Sequence, residues 1–262
     1  MYSSPEIMYN LNSIIIVSIL FILILLANEI GFRIGSHIQQ KSNSDVKSQT
    51  YTVQGGMLAL LALLLGFTFN MALQRFDKRS ETVILEANAI GTAYLRTKLL
   101  PAPYNAITAA LFQKYIDLRI KAGQIDLPES AESLAIAKRT DSLQNLIWEN
   151  ALQAAKKDPN PVTTGLFIAA LNDMIDARGA RNAYLQLHVP EIILFLLFVV
   201  FITAGGLMGY SSGLGQNRTF IPTFLMTFLI ILVVFIIIDL DRPRRGLIRV
   251  NKESIKELQI KK

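Results

Sequence analysis

Four stretches of the chain run without a charged residue: 7–28, 48–74, 192–217 and 219–238. Each reaches the roughly 20 apolar residues that a helix needs to cross hydrocarbon. Apolar side chains lie on nearly every side of them instead of alternating with polar ones. The pattern predicts an all-α membrane protein with four transmembrane helices and excludes a transmembrane barrel. The first span, Leu11 to about Ile34, has no basic segment before it and no small-residue cleavage site after it, so it reads as an anchor helix and not as a signal peptide.

The stretch from Tyr51 to Pro101 organises the rest. No proline or turn signal interrupts it between Met57 and Leu100, which predicts one unbroken helix passing from lipid into water. In its membrane half Gly55, Ala59, Ala62 and Gly66 share one side, a small-residue stripe expected to let another helix pack closely. Gln54, Leu58, Leu61, Leu65, Thr68 and Ala72 line an adjoining face that continues into Arg75 and Arg79. A polar, then apolar, then basic stripe suits a helix bordering a pore, with the two arginines at its mouth. A helix buried in a bundle carries the same stripe, and basic residues just inside a span also arise from the positive-inside rule.

Between the second and third spans the pattern changes to amphipathic helices. Turn signals at 99–104, 126–130 and 156–161 leave helices near 103–122, 129–157 and 161–187. Tyr104, Ile107, Leu111, Tyr115 and Leu118 recur at helical spacing, as do Leu143, Leu146, Ile147 and Leu152, and Leu166, Ala170, Met174 and Ala177. These faces are expected to bury against one another and against the long helix, with Met174 and Trp148 as core filler. The polar set Glu86, Asn88, Thr92 and Tyr94 reads as packing and capping groups. Residues 39–50 lack apolar periodicity and are expected to form a loop. Residues 211–218 are expected to close a tight hairpin between spans three and four, with Pro190 and Pro222 at positions that helix starts tolerate. The organisation is therefore 1–73, two transmembrane helices; 74–188, a cytosolic helical domain; 189–240, two more transmembrane helices; and 241–262, a basic cytosolic tail.

Composition agrees with a membrane protein: 52% of residues are hydrophobic and the mean hydropathy is +0.38. There is no cysteine and only His37 and His188, so disulfides and thiolate or histidine metal sites are not expected. No phosphate loop, nucleophile arrangement or other enzyme motif stands out, and no cofactor is expected. The net charge of +6 is largely a tail property: residues 239–262 carry 8 Lys/Arg against 4 Asp/Glu, while 74–188 carry 14 against 12. That distribution points to membrane insertion and anionic lipid, not to nucleic acid, and it puts both termini on the cytoplasmic side of an inner (plasma) membrane. Glu29 and Arg33 stand one helical turn apart and form either an interfacial ion pair or a contact with a permeating ion or a neighbouring subunit. Asp239 and Asp241 either bind a cation or pair with nearby arginines.

The blocks ANEIGFRIG (27–35), QGGMLALLALLLGFTFNMALQRFD (54–77), EANAIGTAYLRTKLLP (86–101) and DLDRPRRGLIRV (239–250) resemble, in order, the bestrophin-like membrane proteins of bacteria and plants. Bestrophins proper are anion channels built as subunit rings, each subunit with four membrane helices, a helical cytosolic part between spans two and three, and a pore lined by the second helix. The resemblance implies a homo-oligomeric ring, with a pentamer as its candidate form, passing small inorganic anions. It places the apolar constriction at Leu58, Leu61 and Leu65 with Phe69. Calcium-responsive bestrophins carry a dense acidic cluster after span four, where this chain has only Asp239 and Asp241. Against the channel stands a second expectation: a membrane-anchored interaction or sensor protein whose helical domain binds a partner.

Overall fold

A computed structural model describes residues 11–41, 43–125, 130–216, 218, 220–242, 246–248, 250–251 and 253–258. The turn signal at 126–129, and Asn217, Pro243, Arg244 and Arg245, lie outside the described residues. The helices are α1 (Ser13–Ile38), α2 (Ser44–Arg96), α3 (Tyr104–Gln124), α4 (Ala131–Lys157), α5 (Thr164–Gln186), α6 (Glu191–Leu214), α7 (Phe220–Leu240) and α8 (Glu253–Glu257). No strand occurs among the described residues. Among the described residues, four helical segments are long and apolar enough to cross a membrane. The chain divides into two compact units, residues 1–74 with 188–242, and residues 75–187 with 243–262. The long helix is continuous over 53 residues, as its lack of breakers predicts.

In the first unit, α1 begins at Asn12, whose side chain accepts the Ile14 N–H at 2.9 Å. It continues past Ile34 to Ile38 and a 3-10 turn, Gln39–Lys41, and α2 already starts at Ser44. The expected loop at 39–50 is thus shorter than its composition suggested. From Ser44 onward its serines, Lys47 and Gln49 are polar but do not interrupt the helix, and Asp45 in the first turn complements the helix N-terminus. Ser211 to Leu214 likewise stay helical within α6 instead of joining the hairpin loop.

Lipid tails are as apolar as leucine, so helices in a membrane associate through close packing and polar contacts, not through expulsion of water. Helices α1 and α6 use both. A Cβ built on Gly31 would fall on the Gly206 carbonyl, one on Gly35 on the Tyr210 carbonyl, and one on Gly209 on the Asn28 carbonyl. Only hydrogen at these Cα atoms lets the backbones approach this closely. Asn28 adds a hydrogen bond, its Nδ2 donating to the Gly205 carbonyl at 3.1 Å. Leu20, Ile24, Leu197, Phe201, Val234 and Ile238 fill the core beside this contact.

The second unit has an apolar core of its own. Phe112, Tyr115 and Ile116 of α3 meet Ile147 of α4, Phe167, Leu171 and Met174 of α5, and Val83, Ala87 and Ile90 of α2. The Phe112 and Phe167 rings meet edge to face at 6.3 Å. Met174 is fully buried and Trp148 packs against the same cluster, which makes both core filler, as expected. Helix α4 starts on Ser130, whose hydroxyl oxygen accepts the Ser133 N–H at 3.1 Å. Val250, Ile255 and Leu258 insert into this core, so the described part of the basic tail carries apolar anchors that its charge count concealed.

Candidate functional site on the second helix

Within the chain, the two stripes of α2 differ in how far the chain's own helices cover them. On the stripe expected to line a pore, Leu61, Thr68 and Ala72 are buried in the chain itself, and Gln54, Leu58, Leu65 and Phe69 are half-buried. Leu61 belongs to the core cluster of Leu194, Leu197 and Val234, with Leu65 packed against it. Gln54 is engaged as well, its Oε1 accepting the Ser211 hydroxyl of α6 at 2.6 Å. Thr68 spends its hydroxyl on the Leu64 carbonyl one turn back. Gly55, Ala59, Ala62 and Gly66, expected to pack, are exposed in the chain, and a Cβ at Gly55 or Gly66 would meet nothing within 4 Å. Two neighbouring stripes that are both free of charge do not reveal which one the chain's own helices cover.

Beside the small residues runs a third stripe at helical spacing: Gly56, Leu60, Leu63, Phe67, Asn70 and Gln74, all exposed. Leu60, Leu63 and Phe67 are 52%, 54% and 61% accessible, so large apolar side chains stand uncovered on the membrane half of the helix.

Of the two arginines expected at a pore mouth, Arg79 is engaged within the chain. Arg79 is 2% exposed, and its Nε donates to the Tyr184 carbonyl at 3.2 Å while Nη2 donates to that of Leu187. It is a cation set on the last carbonyls of α5, where the helix leaves acceptors unsatisfied and its dipole is negative. Burial on those acceptors removes it from any basic ring facing water. Arg75 is half-buried.

About two turns beyond Arg79, Glu86 is completely buried between two guanidiniums. Arg119 of α3 reaches its Oε1 at 2.6 Å through Nη2 and at 2.7 Å through Nε, and Arg181 of α5 bonds its Oε2. The carboxylate thereby ties α2 to α3 and α5. Sequence reasoning assigned Glu86 to a packing set and missed the ion-pair centre. The signal was present: Glu86 lies three residues after Val83 and four before Ile90, on an apolar face where an acid requires a cation. Tyr115 lies close by, and burial pushes its phenol up to about 12. Arg178 makes a further pair at the edge, with Asp141 at 2.6 Å and Gln144 at 2.8 Å.

Of the acids after the fourth span, Asp241 accepts the Val189 N–H at 2.8 Å, just ahead of α6. Asp239 is buried, and Arg242 Nη1 donates to Ser13 Oγ at 3.0 Å at the start of α1. Glu29 and Arg33 form the expected ion pair, at 2.9 Å. Among the described residues no three His, Cys, Asp or Glu side chains gather as metal ligands.

Four membrane-length helices with a separate helical unit inserted between the second and third define a multi-pass membrane protein of all-α class. The family model of the bestrophin-like domain matches residues 19–255, and the chain belongs to that family. No curated protein matches it in sequence. Among solved structures it is similar to two crystal structures of mutants of a bacterial bestrophin homologue from Klebsiella pneumoniae. One is 16% identical with a TM-score of 0.64, covering 92% of this chain and 96% of that one. The other is 14% identical with a TM-score of 0.66, covering 93% and 96%. At these identities the likeness concerns the fold.

Proposed function

We propose that the protein is a homo-oligomeric ion channel of the inner membrane, with a ring of subunits around a pore bordered by α2, a pentamer as its candidate form, and small inorganic anions as the permeant class. The observation that carries the reading is the bareness of α2. In its most apolar stretch 17% of residues are buried, against 28% to 33% in the other three spans. A helix left this open by its own chain is the one on which further subunits or an axial path would converge. The anion preference rests on the family. Both termini and residues 74–188 belong on the cytoplasmic side in this reading, from the charge bias of the tail.

The exposed stripe then replaces Leu58, Leu61 and Leu65 as the constriction. Leu60, Leu63 and Phe67 supply an apolar ring that gates by dewetting, and Asn70 and Gln74 continue it as polar lining. Gly55, Ala59, Ala62 and Gly66, one step around the helix, leave room for the adjacent subunit. The test is ion flux in liposomes carrying the purified protein. Leu63→Ala with Phe67→Ala is expected to raise flux without a stimulus, because shortening both side chains stabilises water in the ring. Flux at the empty-liposome level for wild type and variant, under both chloride and potassium gradients, refutes the channel. Raised flux from Leu61→Ala alone, with no effect from Leu63 and Phe67, returns the pore to the other stripe.

A further inference from the structure

Where α1 turns polar and α7 begins, Leu25, Phe32, Phe220 and Phe224 wall a cavity of about 160 Å³ that also takes in Glu29 and Arg218. Its charged groups, Glu29 and Arg218, touch each other and the aromatic wall, with Arg33 adjoining them. The Arg218 guanidinium lies 4.4 Å over the centre of the Phe32 ring, and its Nη2 is 3.4 Å from Glu29 Oε1. The same carboxylate oxygen receives Arg33 Nε at 2.9 Å. One carboxylate thus faces two guanidiniums, which leaves the cluster with an excess positive charge and with several guanidinium N–H groups to offer an anionic oxygen.

The apolar walls matter as much as the charges. Phe224 meets Phe21 edge on at 5.9 Å and stacks with Phe220 at 6.2 Å, so the pocket continues along α1 and α7 as an aromatic seam. The apolar run of α1 ends at Ala27 and that of α7 starts at Phe220, while Glu29, Arg33 and Arg218 lie just beyond. A change from apolar to charged residues of this kind suits the boundary where a lipid's phosphate meets its acyl chains. A free anion in water has no use for aromatic walls. A phosphodiester bearing acyl chains uses both halves.

We propose that this cavity is a binding site for a phospholipid of the bilayer, with the phosphate on Arg218 and Arg33 and an acyl chain against the phenylalanine walls. Glu29, within the same cluster, selects a headgroup that carries a positive charge, so an ethanolamine headgroup binds better than glycerol. The site is independent of whether the protein conducts ions.

Native mass spectrometry of the detergent-purified protein tests this, with dioleoyl phosphatidylethanolamine, dioleoyl phosphatidylglycerol and inorganic phosphate as separate probes. Wild type is expected to retain the ethanolamine lipid in preference to the glycerol lipid, and phosphate alone is expected neither to bind nor to displace it. Arg218→Gln is expected to weaken retention roughly tenfold, the loss that a hydrogen bond to a charged group carries. Its side chain is 63% exposed, so the variant should keep its particle size and melting temperature. Arg218→Lys, which keeps the charge and loses the planar fork, is expected to fall between the two and serves as the reading if the glutamine variant does not purify. Glu29→Gln should leave lipid bound and abolish the headgroup preference. Equal retention by wild type and both Arg218 variants overturns the proposal. So does displacement of lipid by phosphate alone, which would make this an aqueous anion site.

Discussion

Replacing Glu86 by glutamine changes one oxygen to an amide nitrogen and almost no volume, so its effect isolates the charge. In the folded protein the carboxylate is 0% exposed, and the Arg119 and Arg181 side chains are 9% and 6% exposed. Water therefore screens little of the repulsion that remains once the anion is gone. The glutamine carbonyl satisfies one guanidinium, but its NH2 points a donor at the other. Removing one partner of a buried pair costs about 3–5 kcal/mol. For a helical unit of this size that is a fall of roughly 10–20 °C in melting temperature. The chain has a single tryptophan, Trp148, and it packs against the core of this same unit. Its intrinsic fluorescence during a thermal ramp in detergent reads the transition directly. A companion variant separates charge from shape: Glu86→Met, Arg119→Met and Arg181→Met together remove the whole triad. Well-packed apolar replacements of buried charges are neutral or stabilising, so the triple variant should melt at or above wild type. A Glu86→Gln shift of less than about 3 °C, well under the cost of one stranded charge, would refute the reasoning.

Three further outcomes follow from the geometry. Gly209→Ala drives a methyl group into the Asn28 carbonyl and should destabilise the membrane unit by about 1–3 kcal/mol, seen as earlier unfolding in a denaturing-detergent titration; an unchanged midpoint shows that α1 and α6 are not this close. Tyr115, whose phenol burial raises from 10.0 to about 12, keeps its proton longer in the folded state than in the unfolded one. Its contribution is complete below pH 10.0 and is lost as the pH rises towards 12, about 2–3 kcal/mol in all. A difference titration of tyrosinate absorbance between wild type and Tyr115→Phe that shows Tyr115 ionising near 10 contradicts it. Single cysteines at Ser44 and Ser142, in a chain that has none, should react with an impermeant reagent from opposite sides of the membrane, and labelling from one side only defeats the proposed topology.

The spans and the inserted helices were legible because their signals are local. A membrane-length apolar run, a proline, or a turn cluster declares itself without reference to the rest of the chain. The surroundings of a helix face are not local. Gly55 and Gly66 on α2 look as apt for close packing as Gly31 and Gly35 on α1, yet only the latter pair meets a partner within the chain. Arg79 shows the same limit: its place after a span suited a pore mouth, and only the end of α5, more than 100 positions on, makes it a buried cap. Glu86 was readable in principle, since an acid on an apolar stripe demands a cation. Its partners at 119 and 181 come from two other helices, and no spacing rule joins them.

The glycine contact between α1 and α6 sets a schedule for biogenesis. Asn28 and its acceptor Gly205 are 177 positions apart. At a synthesis rate of about 5–20 residues per second, α1 exists for roughly 10–35 seconds before α6 has been made. Throughout that interval its backbone groove, bare at Gly31 and Gly35, is open to any helix of matching spacing, including α1 of another nascent copy. Correct pairing therefore depends on holding α1 at the insertion machinery, or on keeping nascent copies apart, until the sixth helix arrives.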